Sequence, residues 1–152
     1  MAPTRLFEAY ADGMDELRRR GLVRSENNPV SDYAELVVSQ TLDLKLMKGS
    51  TKGVDARDGR GTRYQIKGRR LVGRGSRQLG VIRDLEKRPF DVCVAILFDH
   101  KFRPSRVYRI PIGAIEKHGK FSKHQNGWIV QVGDRLISDK RVKDITRLFV
   151  KR

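Results

Sequence analysis

Residues 90–98 hold a nearly continuous apolar run, Val92-Cys93-Val94-Ala95-Ile96-Leu97-Phe98. A strand with one wet face alternates apolar and polar residues, whereas a run without alternation needs cover on both faces. That requirement puts the run at the centre of a layered domain, and the rest of the chain has to supply its cover.

The flanking pattern supplies suitable elements. Leu6, Tyr10, Met14 and Leu17 recur at helical spacing over 4–20, Gly21 is the stop, and Arg18-Arg19-Arg20 complements the helix dipole. A linker, Ser25-Glu26-Asn27-Asn28-Pro29, leads to a second helix expected over 32–41. Ser31 is its expected cap, and Ala34, Val37 and Val38 face the core. Leu42, Leu44 and Leu46 then alternate with polar residues, which predicts a short strand. A turn over 49–52 follows. Gly53-Val54-Asp55-Ala56 opens another strand, Asp58-Gly59 is a hairpin signal, and 62–71 is the antiparallel partner. A Gly/Arg/Ser loop over 73–77 leads to a helix expected over 78–87, ended by Pro89. Beyond the central run we expect a strand over 106–110, a helix over 112–118, a strand over 127–132 and a last helix over 139–150. The sum is one α/β domain spanning 1–152, a mixed sheet flanked by helices, without internal repeats.

Charge narrows the function. Lys and Arg number 33 and Asp and Glu 18, so 152 residues carry a formal charge of +15. Such an excess repels itself in the folded state and suits a polyanionic partner, most commonly nucleic acid. On charge alone, ribosomal and membrane-surface roles stay open. No stretch sets Trp and Phe opposite a Lys/Arg face, and no apolar run approaches membrane-spanning length. Cys93 is the single cysteine and sits within the apolar run, so it reads as a buried small hydrophobe. A lone thiol suits a reducing compartment, and a cytoplasmic location is the expectation.

Several chemistries lack support. The loop Arg69-Arg70-Leu71-Val72-Gly73-Arg74-Gly75-Ser76-Arg77 has no Lys-Ser/Thr ending of the phosphate-cradling kind, so no nucleotide cofactor is expected. His100, His118 and His124 are scattered, one cysteine is too few for structural zinc, and Ser50 and Ser76 have no nucleophile motif. Trp128 reads first as a core or interface residue, with base stacking as the lesser alternative.

One constellation stands out. On the strand Arg63-Tyr64-Gln65-Ile66-Lys67-Gly68-Arg69, residues two apart share a face, so Gln65 and Lys67 project together. Pairing through the Asp58-Gly59 turn brings Asp55 to that face. Glu35 lies in an otherwise apolar helical patch (Ala34, Leu36, Val37, Val38), where a carboxylate needs a partner: a metal site or a nearby Arg.

The order Glu35, Asp55, Gln65, Lys67, followed by the apolar strand after a helix, resembles the PD-(D/E)xK nuclease superfamily. The likeness covers about 28–99, leaving 1–24 as an N-terminal helical extension. It implies a restriction-endonuclease-like fold and a Mg²⁺- or Mn²⁺-dependent DNA endonuclease. In that reading Asp55 is the main carboxylate ligand, and Gln65 and the carbonyl of Ile66 add oxygens. Lys67 orients the attacking water or stabilises the developing negative charge, and Glu35 reaches the metal through water or supplies a second metal site. Gln65 stands where the pattern has an acid, which removes one negative charge from the site. The alternatives are a catalytically silent DNA-binding module on the same fold and a basic RNA- or ribosome-associated protein. Lys52, Arg69, Arg70, Arg74 and Arg77 are the expected backbone contacts on DNA. Two cuts per duplex suggest a homodimer, with the first helix as its contact.

Overall fold

A computed structural model describes residues 2–25, 28–48 and 53–150. The expected turn over 49–52, including Lys52, lies outside the described residues. The chain is mixed α/β. Its described residues form a six-stranded, mostly antiparallel sheet, a two-stranded ribbon and four helices.

The central run is β4 (Val92–Phe98), buried along its whole length. β3 (Arg63–Arg70) lies beside it in parallel, and β5 (Pro104–Pro111) flanks its other side antiparallel. The sheet continues past β3 through β2 (Ala56–Arg57) to β1 (Lys45–Leu46), and past β5 to β8 (Lys143–Asp144). Alternate residues of β4 serve two cores. Val92, Val94, Ile96 and Phe98 pack with Tyr64 and Ile66 under α2 (Pro29–Leu42), through Val30, Ala34 and Val38. Cys93, Ala95 and Leu97 pack on the other face with Leu79, Ile82 and Leu85, and with α3 (Ile112–His118). A strand with no wet face has to read as continuously apolar.

α2 approaches β3 closely because position 68 is glycine. A Cβ on Gly68 would sit 2.6 Å from the Ala34 Cβ and 3.2 Å from the Val30 carbonyl oxygen.

Four expectations need correction. α2 starts earlier than 32: Asn28 caps it, its Oδ1 accepting from the Val30 N–H at 3.1 Å, with Pro29 in the first turn and Ser31 inside the helix. Leu42 ends that helix instead of opening a strand, and Asp43 turns the chain in a left-handed conformation (φ 54). The helix expected over 78–87 is an extended strap with a single 3-10 turn, Leu85–Lys87. Its buried residues Leu79, Ile82 and Leu85 repeat every third position, not at the mixed three-and-four spacing of a helix. The strap spends its backbone on β-bridges, Gln78 to Gln131 and Ile82 to Trp128, and breaks at Asp84 and Arg88 in left-handed conformations. The parallel crossover from β3 to β4 is therefore made without the helix expected before β4. Finally, 139–150 is not helical, holding β8 and a 3-10 turn, Thr146–Leu148, instead. There Asp139 accepts from the Arg141 N–H and Asp144 from the Thr146 N–H, local bonds that compete with helix formation.

The first helix is α1 (Pro3–Arg19), which buries Met14 and leaves Leu6, Phe7 and Tyr10 exposed. The short α4 (Asp134–Ile137) and the ribbon of β6 (Lys120–Ser122) and β7 (Gly127–Ile129) complete the fold. Among the described residues no helix is long and apolar enough to cross a membrane.

Candidate functional site

β3 alternates its side chains between the two cores. Tyr64, Ile66 and Gly68 face α2, while Gln65, Lys67 and Arg69 face the strap. β2 pairs with β3 only through Ala56 and Arg57, so the edge of β3 lies open to side chains from Asp55 onward.

Asp55 is held at that edge by its backbone and its carboxylate. Its N–H donates to the Tyr64 carbonyl at 2.8 Å, and its carbonyl accepts from the Met47 N–H at 2.9 Å. Oδ2 accepts from the Ile66 N–H at 2.7 Å, taking the place of a missing strand partner. Ile66 itself sits with its side chain in the core beneath α2. Burial pushes the Asp55 carboxyl above its ordinary range, against the opposing pull of the Ile66 N–H and of the Lys67 and Arg24 charges. Lys67 is thus electrostatically coupled to Asp55. Its Nζ also donates to the Val81 carbonyl of the strap at 3.2 Å.

Glu35 approaches from the α2 side. Its carboxyl is raised by burial and then by the charge of Asp55, and Arg24 pulls it back. Arg24 Nη2 donates to Glu35 Oε2 at 2.5 Å. The partner that an acid in this apolar patch requires is therefore Arg24, and the same arginine acts on Asp55.

Gln65 lies opposite Cys93 in the β3–β4 register and is only 8% exposed. Its Oε1 is buried and has no hydrogen-bond partner among the described residues. Leaving such an oxygen unmatched costs about 1–3 kcal/mol. The residue lines a cleft of about 380 Å³ shared with Gly53, Val81, Arg83, Asp84, Lys87 and Pro89. The neighbouring Cys93 thiol is pushed up to about 12 by burial, with Lys67 and Asp55 acting on it in opposite senses.

Asp55 thus interacts with Glu35 from the α2 layer and with Lys67 from the strap side, at the part of β3 that β2 leaves unpaired, and Gln65 shares the Lys67 face. The basic residues divide. Arg69 anchors the strap, donating to the Gln78 carbonyl at 3.0 Å. Arg70 is engaged away from the site: it donates to the His100 carbonyl at 3.0 Å, and its guanidinium lies 4.6 Å from the Phe102 ring centre. Arg74 and Arg77 are exposed on the loop after β3.

Two site residues had no signal of their own in the sequence. Asp84 was hidden inside the expected helix, and it reaches the Gln65 cleft because the strap is extended. Arg24 precedes α2 in the linker, where nothing in its spacing marks it as the partner of Glu35. The histidines remain outside the site: His118 Nε2 pairs with Asp139 Oδ2 at 2.9 Å, tying α3 to the segment before β8.

Among the described residues no group of three or more His, Cys, Asp or Glu is arranged to hold a metal ion. The donor set at the sheet edge is two carboxylates and one amide oxygen. That set suits a hard cation such as Mg²⁺, which accepts one or two carboxylates and fills its remaining positions with water and phosphate. The unpartnered Gln65 Oε1, on the face of β3 that also carries Lys67, is an oxygen such an ion could use. No protein-family model matches this chain, and no curated protein matches it either.

Proposed function

We propose that this chain is a metal-dependent DNA endonuclease of the PD-(D/E)xK type. The observation that carries the reading is the electrostatic interaction of buried Asp55 with Lys67, on a strand whose alternation puts Gln65, with its unpartnered Oε1, on the Lys67 face. The parallel β3–β4 pair between antiparallel neighbours, with α2 packed on it, is compatible with a restriction-endonuclease-like core. The charge of +15 favours a polyanionic substrate.

Asp55 and Gln65 would hold the ion, with Glu35 behind them and the Ile66 carbonyl as a further oxygen. When bound, a divalent cation stabilises charge on the phosphate oxygens and lowers the pKa of water. Asp55 enters the site already desolvated and fixed by the Ile66 N–H, so its free oxygen is aimed without further ordering. Lys67, braced by the Val81 carbonyl, presents a positive charge where negative charge develops on the phosphate. Arg24 restrains Glu35 and limits how far that carboxylate can serve as a ligand. Arg74 and Arg77 contribute to the salt-dependent attraction for the backbone. Exposed Leu6, Phe7 and Tyr10 make α1 the homodimer contact in this reading, and a monomer by light scattering with and without DNA would count against it.

The neutral Gln65 and the Arg24–Glu35 pair favour one second reading, a DNA-binding module without cleavage. A supercoiled-plasmid nicking assay in Mg²⁺ or Mn²⁺ separates the two. Cleavage by the parent, lost in Asp55→Ala and Lys67→Ala while binding persists, is the expected result. Cleavage that survives Asp55→Ala refutes the site. No cleavage with tight, salt-sensitive binding selects the silent module.

A further inference from the structure

The ribbon β6–β7 carries two aromatic rings with no full burial in this fold. Phe121 and Trp128 are paired across it, ring centres 5.9 Å apart at 68°. Phe121 is 54% exposed. A single exposed aromatic is unremarkable on a protein surface, but the position of this pair is not isolated. The rings line a second cleft of about 430 Å³ with Arg83, Asp84, Glu86 and Asn126. Arg83 and Asp84 also line the cleft that opens on Gln65. The two clefts therefore share Arg83 and Asp84 as lining residues.

One short piece of backbone joins Lys67 to Trp128. The Val81 carbonyl accepts from Lys67 Nζ, and the next residue, Ile82, exchanges both backbone hydrogen bonds with Trp128, at 2.9 and 2.7 Å. Gly127 permits the contact, since a Cβ there would lie 2.2 Å from Val81 Cγ1. Arg83 Nη1 then clamps the ribbon's turn by donating to the Gln125 and Asn126 carbonyls at 3.0 Å each. Trp128 is held in fixed relation to Lys67.

From this geometry we propose that Phe121 and Trp128 form a stacking platform for an unpaired base of a DNA strand whose phosphate lies at Asp55, Gln65 and Lys67. The proposal rests on the nuclease reading for the phosphate's position, while the platform is tested by binding alone. Lys120 and Lys123 are exposed on the ribbon that carries the rings, and the chain's charge of +15 suits a nucleic-acid strand. Asp84 and Glu86 line the cleft, disfavour a phosphate inside it and can accept from the exocyclic amines of a base. In a duplex interior both faces of a base are already covered, so the platform selects single-stranded or locally opened DNA.

Trp128 is the only tryptophan, so its fluorescence reports the platform directly. The full chain, in EDTA to prevent cleavage, is titrated with a short single-stranded oligodeoxynucleotide and with the same sequence as a blunt duplex. The expected result is strong quenching by the single strand and little by the duplex. Phe121→Ala weakens single-strand binding by about tenfold or more without changing duplex affinity, and Phe121→Tyr restores it. Because Phe121 is exposed, these variants test contact and not folding, which circular dichroism verifies. Equal quenching by both ligands, unchanged affinity in Phe121→Ala, or no nucleic-acid binding at all overturns the platform. Quenching retained in a parent that cuts nothing leaves the platform standing and removes the nuclease. Cleavage with an indifferent Phe121→Ala does the reverse.

Discussion

Gly68→Ala puts the seat of α2 to a direct test. On strand preference alone the change should help, since glycine inside a regular element costs about 0.5–1 kcal/mol relative to alanine. The packing predicts the opposite sign. The new Cβ would meet the Ala34 Cβ at 2.6 Å, the Val30 oxygen at 3.2 Å and Val30 Cγ1 at 3.3 Å. Carbon atoms rest at about 3.5–4.0 Å, so α2 must lift by about 1 Å. Overpacking of this kind costs about 1–3 kcal/mol. At about 2–4 °C per kcal/mol for a domain of this size, the melting temperature should fall by about 2–12 °C. Ala34→Gly removes the opposing methyl at its own helix cost of about 1 kcal/mol. The double variant should then be less damaged than the sum of the two, by about 0.5 kcal/mol or more, and incompletely rescued because the Val30 oxygen remains. Thermal unfolding followed by circular dichroism measures all four proteins. A stabilised Gly68→Ala, or a double variant that is strictly additive, would refute the close approach of α2. Glu35 follows Ala34 directly, so if the proposed nuclease activity holds, nicking should fall in Gly68→Ala and return in part with the rescue.

Asp55→Asn keeps an oxygen for the Ile66 N–H and deletes a charge that burial disfavours. The fold should melt higher at neutral pH, and the advantage should shrink on acidification, because the parent recovers that stability as its raised carboxyl takes up a proton; a lower melting temperature at neutral pH contradicts this. Gln65→Glu adds a carboxylate at a buried position, so the metal-free protein should lose stability. Mn²⁺ should then raise its melting temperature, by about 2.7 kcal/mol of stabilisation at a hundredfold excess over Kd, and an unresponsive variant removes Gln65 from the ion site. Asp139 has its carboxyl held well below the usual range by the Arg141 guanidinium and N–H and by His118. Asp139→Asn should therefore be less stable than the parent at neutral pH, with the difference disappearing as pH falls below about 3.9 and on toward the depressed value; a pH-independent difference rules the ionic contribution out.

The elements that carry the site were legible where local pattern and burial agree. The apolar run could only be a strand covered on both faces, and it is the buried β4. The Asp58-Gly59 turn and the alternation over 63–70 define the β2–β3 pair, which brings Asp55 to Lys67, with Gln65 on the Lys67 face, because alternation is a property of the strand itself. The charge that calls for a polyanion is likewise a matter of composition. Only tertiary structure decided the rest. The segment 78–87, ended by Pro89, reads locally as a helix, and backbone pairing with a ribbon more than forty residues away chose the strap. That choice delivers Asp84 to the Gln65 cleft and Val81 to Lys67. Glu35 needed a partner, but which arginine fills the need depends on Asp32, whose Oδ2 accepts from the Arg24 and Ser25 N–H and so holds Arg24 against α2. The aromatic pair acquires its relation to the site through Gly127, whose missing side chain lets the ribbon close on the strap. Local sequence specifies what each segment can do alone; contacts between distant segments, governed by fit and by unsatisfied polar groups, decide which side chains meet.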